Sequence, residues 1–127
     1  MESVWRARHA QHGALEAEQF HHFPHRVLRR LRQAVSAQPA NPELHDRLIV
    51  ALVWLNRVPE AAEAAENKLT AVPARPEDFL RAASIHGKMV EWSRAASILE
   101  RGLLAFPEAS AIRAKLSEIE TLLTPST

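Results

Sequence analysis

The chain has 127 residues, 46% of them hydrophobic, and 16 Lys plus Arg against 15 Asp plus Glu leave a formal charge of +1. That apolar fraction suits one sizeable core and excludes a disordered chain, while the balanced charge excludes a general pull toward nucleic acid or anionic lipid. Absence of cysteine removes disulfides, thiol nucleophiles and thiolate metal sites, and Gly13, Gly87 and Gly102 lie too far apart for a phosphate-cradling loop.

Residues 1–23 carry Arg6, Arg8, Glu16 and Glu18, with no apolar run after a basic start, so no secretory signal is expected. Glu2 to Gln19 is helix-compatible through Ala7, Ala10, Ala14 and Leu15, but Trp5 is its only large anchor before Phe20. Two readings stay open: a weak first helix that packs, or an arm that orders on a partner. His9, His12, His21, His22 and His25 crowd the same region. Zinc or nickel needs three or four convergent ligands. No carboxylate or cysteine pattern accompanies these histidines, so solvated side chains near a turn are expected and no metal is assigned.

Residues 24–39 read as a helix in which Arg26, Arg29, Arg30 and Arg32 share the chain with Val27, Leu28, Leu31 and Val35. Charge is uneven: residues 1–40 hold six Lys or Arg against three Asp or Glu, and residues 41–127 hold ten against twelve. A basic helix of this kind contacts phosphate or an acidic surface. It lacks interleaved aromatics for base stacking, so a solvated face is the plainer reading.

Asn41-Pro42-Glu43 starts the next helix, with Asn41 as N-cap and Pro42 in the first turn. Leu44, Leu48, Ala51, Leu52 and Leu55 form its apolar stripe. The longest apolar run, Leu48 to Leu55, is eight residues, far below the ~20 that cross a bilayer. Pro59 opens a further helix that Pro73 ends. Pro76-Glu77-Asp78 opens another, burying Phe79, Ala82, Ala83 and His86 and turning at Val90–Glu91. Trp92 restarts a helix with Ala95, Leu99 and Leu103 inward, ending at Phe106-Pro107. Residues 108–123 form a last helix with Ile112, Leu116, Ile119 and Leu123 in one stripe, and residues 124–127 a tail.

Pro39, Pro73 and Pro107 are spaced by 34 residues. Val58–Pro73 aligns with Trp92–Pro107 at that offset, matching Ala61 with Ala95, Ala62 with Ala96 and Leu69 with Leu103; Pro24–Pro39 is a weaker copy. A fixed period of this length is the mark of a helical repeat. In this the chain resembles the tetratricopeptide repeat (TPR) family, whose unit wants an aromatic, a Leu-small pair, a further large residue, then small and large residues in alternation before a proline. Phe79, Ala82, Ala83, His86, Ala95, Leu99 and Gly102 fall at those places before Pro107. His45, Leu48, Ile49, Leu52, Ala61, Ala65 and Lys68 fall there before Pro73, with Ile49 and Lys68 as departures. Gln11, Ala14, Leu15, Glu18, Val27, Leu31 and Ala34 make a poor first copy.

The resemblance implies an all-α, right-handed helical-hairpin solenoid: about two and a half repeats over 24–107, a capping helix over 108–123, and a single domain over 1–127. It implies non-catalytic protein–protein recognition, without cofactor or small-molecule substrate, as in bacterial adaptor or secretion-chaperone subunits; a cytoplasmic setting is expected separately, from the lack of a signal or a bilayer-length apolar run. It places Glu43, Asp46, Val50, Val53 and Trp54, then Glu77, Leu80, Ser84, Gly87 and Lys88, on a concave groove. One branch of the family clamps a C-terminal carboxylate with Lys and Asn where this chain has Asp46 and Val50. An acid there repels a carboxylate, so an amphipathic segment with apolar anchors and basic flanks is expected instead. An alternative in which Trp54 packs under the N-terminal residues stays open.

Ser84 and His86 are the nearest approach to a nucleophile–base pair, but on a helix they diverge, and no enzyme is expected. Two rivals to the groove remain. One is a basic-helix binder of nucleic acid or an acidic surface through Arg26, Arg29 and Arg30. The other is a scaffold that homo-oligomerises.

Overall fold

The computed structural model describes residues 24–124. Among them it contains six helices and no strand: α1 (Pro24–Ala37), α2 (Pro42–Trp54), α3 (Val58–Ala71), α4 (Pro76–Lys88), α5 (Trp92–Ala105) and α6 (Ser110–Leu123). Each helix packs on the next, and α4 also touches α6. α2 with α3 and α4 with α5 therefore form two hairpins, with α1 before them and α6 after. The reading of residues 1–23, including all the histidines before His25, lies outside the described residues.

Local chemistry sets the boundaries. Asn41 caps α2, its Oδ1 accepting from the Glu43 N–H at 3.1 Å, and Pro42 needs no donor there. Pro59 and Pro76 occupy the first turns of α3 and α4 in the same way. Both hairpin turns use one device. Asn56 and Val90, 34 residues apart, take positive φ (58° and 59°). After each, the next N–H reaches back five residues, Arg57 to the Leu52 carbonyl at 2.8 Å and Glu91 to the His86 carbonyl at 3.0 Å. This is the Schellman closure of a helix C-terminus. Asparagine tolerates the left-handed region; a β-branched valine is strained in it.

Small residues let the helices approach. Ala61, Ala62, Ala64 and Ala65 of α3, Ala82 and Ala83 of α4, and Ala95 and Ala96 of α5 are buried among Leu48, Ile49, Leu52, Phe79, Ile98 and Leu99. At Gly102 a Cβ would stand 2.9 Å from Phe79 Cγ and 3.1 Å from Ile112 Cδ1, so only glycine fits between α4 and α6. Phe79 meets Phe106 edge-on, with centroids 6.3 Å apart.

The structure trims three expectations. Leu44, Leu55 and Leu103 are half-buried, not enclosed. The last helix begins at Ser110, because Pro107 and Glu108 form a turn. Ile112, Leu116 and Ile119 are buried, but Leu123, read as part of that stripe, is exposed at the end of the last turn of α6.

Candidate interaction groove

α2 and α4 carry every residue read as groove-lining. Glu43, Val50, Trp54, Glu77, Ser84 and Lys88 are exposed; Asp46, Val53, Leu80 and Gly87 are half-buried. Trp54 is 70% exposed and Val50, one turn before it, 50%. Val53 and Leu80 rest against the core.

Three of these residues meet in one place. Glu43, Asp46 and Glu77 line an open cavity of about 520 Å³ with Lys68, Asp78 and Arg81. Val50, Val53, Trp54, Leu80, Ser84 and Lys88 lie outside it. The cavity floor is an ion network. Lys68 Nζ donates to Asp46 Oδ1 at 2.7 Å and to Asp78 Oδ1 at 2.7 Å. Arg81 Nη1 donates to the same Asp46 oxygen at 2.8 Å. The second oxygen of Asp78 accepts the Arg75 N–H at 2.9 Å, holding the start of α4. Lys68 and Asp78 are only 6% and 7% exposed, and burial of ions this deep is tolerated because each is paired and hydrogen-bonded.

Burial alone would raise the Asp46 carboxyl. The hydrogen bonds and positive charges of Lys68 and Arg81 outweigh it and hold Asp46 below the ordinary aspartate range. Burial likewise works to lower Lys68, and the two aspartates outweigh it, holding the ammonium above its ordinary value. Asp46 is therefore no free acid on the groove floor. The repulsion of a carboxylate expected from its charge is offset by two cations bonded to it. Glu43, on the rim, pairs with Arg47 at 3.0 Å, while Glu77 has no ion pair among the described residues.

Sequence reasoning missed Lys68, Asp78 and Arg81 as parts of this site. A pointer existed. Lys68 occupies the repeat place that Gly102 fills one period later, and a charged chain in a close-packed place needs buried partners.

His86 is 1% exposed, as its place in the pattern implied, but it does more than pack. Its Nδ1 lies 2.9 Å from Glu91 Oε2 and its Nε2 3.2 Å from Glu66 Oε2. The ring thereby ties α3 to the α4–α5 turn. Ser84 is exposed while His86 is enclosed, so the two share no face. His45, buried at the corresponding place in the first hairpin, lies 2.7 Å by Nε2 from the Pro39 carbonyl and donates to it.

On α1, Arg26, Arg29 and Arg30 are exposed. Arg29 lines a second, shallower cavity of about 470 Å³ with Arg32 and Arg57. Among the described residues no group of three or more His, Asp or Glu is placed to hold a metal, and no helix is long and apolar enough to cross a membrane.

The arrangement defines an all-α protein of packed helical hairpins with a polar cavity between the first helices of successive pairs. No family model and no curated protein sequence matches the chain.

Proposed function

We propose that this chain is a TPR-like, non-catalytic interaction module, an adaptor or chaperone-like subunit, that holds a segment of another protein against α2 and α4. A cytoplasmic setting and a bacterial origin belong to the same reading. The observation that carries it is Trp54. Trp54 has most of its surface in water one turn from an exposed Val50, and tryptophans that become buried on binding are leading anchors of binding energy. Val53 and Leu80 extend the apolar strip, and Glu43 and Glu77 give it an acidic rim. The occupant that fits is an amphipathic segment with apolar anchors and basic flanks.

The test is site-specific photo-crosslinking in extract of the source cells. A benzophenone side chain replaces Trp54 in one sample and the still more exposed Leu104 of α5 in another. A partner joined from position 54 alone, and displaced by excess unlabelled protein but not by Val50→Asp protein, supports the groove. The same products from both positions would sink it.

A further inference from the structure

The second cavity has a different character. α1 lies on α2 through buried Leu28 and half-buried Leu31 and Val35, which turns its arginines outward. Arg57, at the junction of α2 and α3, comes alongside them. Glu60 then joins the two segments: Arg32 Nη2 donates to its Oε2 at 2.7 Å and Arg57 Nε to its Oε1 at 2.7 Å. One carboxylate thus fixes two guanidiniums in place. Arg29, one turn before Gln33 on the same wall, has no ion pair or hydrogen bond from its side chain among the described residues. Three guanidiniums against one carboxylate leave a surplus of two positive charges around a cavity of about 470 Å³.

We infer that this cavity is a docking site for a short acidic segment of a partner protein, whose Asp or Glu carboxylates seat against Arg29, Arg32 and Arg57. A guanidinium offers five N–H donors in a planar fork, and the recorded bonds to Glu60 use one from each of Arg32 and Arg57. The remaining donors match a carboxylate edge, and charge-assisted pairs of this kind are about twice as strong as neutral ones. Holding the arginines in advance removes much of the side-chain entropy that binding otherwise costs. Gln33 and Ser36 add neutral polar groups, and Leu28 is an apolar floor for the methylenes of a Glu side chain. Nucleic acid fits less well: His25 is the one ring among the described lining residues, with no Phe, Tyr or Trp platform for successive bases, and the cations converge on a pocket. The site shares no lining residue with the cavity between α2 and α4, so it stands apart from the groove reading.

The experiment is a fluorescence-anisotropy titration of the full chain with a fluorescein-labelled, end-capped Glu-rich dodecapeptide at low and moderate salt. Arg29→Ala is the diagnostic variant, because Arg29 has no structural ion pair to lose. Arg29→Lys and Arg101→Ala, at an exposed arginine on α5, are the comparisons. Circular dichroism checks that all three keep the fold. Saturable binding is expected, weakened roughly tenfold by Arg29→Ala, as for loss of one good charge-assisted contact, partly kept by Arg29→Lys and unchanged by Arg101→Ala. Absence of saturable binding would overturn the site. Equal weakening by Arg29→Ala and Arg101→Ala would reduce it to diffuse attraction. An oligothymidylate of equal length displacing the peptide at lower concentration would assign the surface to nucleic acid and overturn the acidic-protein reading.

Discussion

Replacing Lys68 by Met keeps most of the buried stem and removes the ammonium. Two charge-assisted bonds of 2.7 Å are lost together. Breaking a buried ion pair from one side costs about 3–5 kcal/mol, mostly through the partner left behind. Here the two partners fare differently. Asp46 keeps Arg81 and is 37% exposed in its side chain, so it loses little. Asp78 is buried and keeps only the Arg75 N–H. The cost therefore falls chiefly on Asp78, and about 3 kcal/mol is expected, or roughly 10 °C in Tm for a chain of this size. Adding Asp78→Asn, which retains an oxygen for the Arg75 N–H, should restore about 1–2 kcal/mol, since no charge is then stranded. Urea unfolding followed by circular dichroism measures both variants. The difference between wild type and Lys68→Met also has a predictable pH course. Asp46 sits below its ordinary value of 3.8, so its share is present above that pH and fades as pH falls through the lowered value. Lys68 sits above its ordinary value of 10.5, so its share is complete below that pH and fades as pH rises through the raised value. The difference should be flat through the neutral range and shrink at both ends. A loss below about 1 kcal/mol, the upper range of an exposed salt bridge, or a double variant weaker than the single one, would refute the account of Lys68 as a buried, partner-dependent charge.

Two further substitutions test the packing and the turns. Val90→Gly should stabilise the chain by about 0.5–1 kcal/mol, because the left-handed backbone costs a valine about 1–2 kcal/mol and the lost glycine entropy returns only part of that; a side chain 68% exposed gives up little packing, and a neutral or negative result in urea would refute the strain. Gly102→Ala should destabilise by about 1–3 kcal/mol, since its new Cβ meets Phe79 and Ile112 inside contact distance, and an unchanged Tm would mean that α4 and α6 have room to separate.

Much of the helical layout was legible because it is local. Asn41, Pro42, Pro59 and Pro76 act within one turn of where they stand, and alanine-rich stripes show their period in any window of a dozen residues. The 34-residue spacing of Pro39, Pro73 and Pro107 further indicated that like elements recur. Val50 and Trp54 were placed on the groove through the family resemblance, with burial of Trp54 under the N-terminal residues left open, and among the described residues both side chains are exposed. The ion network was not legible. Asp46 and Arg81 are 35 residues apart and Lys68 joins them from a third helix, so no window of sequence contains the site. Arg57 was invisible as a partner of the α1 arginines because Glu60, which brings it to Arg32, is 28 residues from that arginine.

Among the described residues, sequence alone thus determined which segments are helical and, but for the start of the last helix and the place of Leu123, their approximate bounds and apolar faces, since these follow from backbone donors, side-chain shape and a period of 3.6 residues. Tertiary structure alone decided which charges are neutralised. An Asp46 that reads as a free groove acid becomes one corner of a buried network, and a Lys68 that reads as a misfit becomes its centre. Charge pairing depends on distances of a few ångströms across helices, and the approach of α2, α3 and α4 sets those distances.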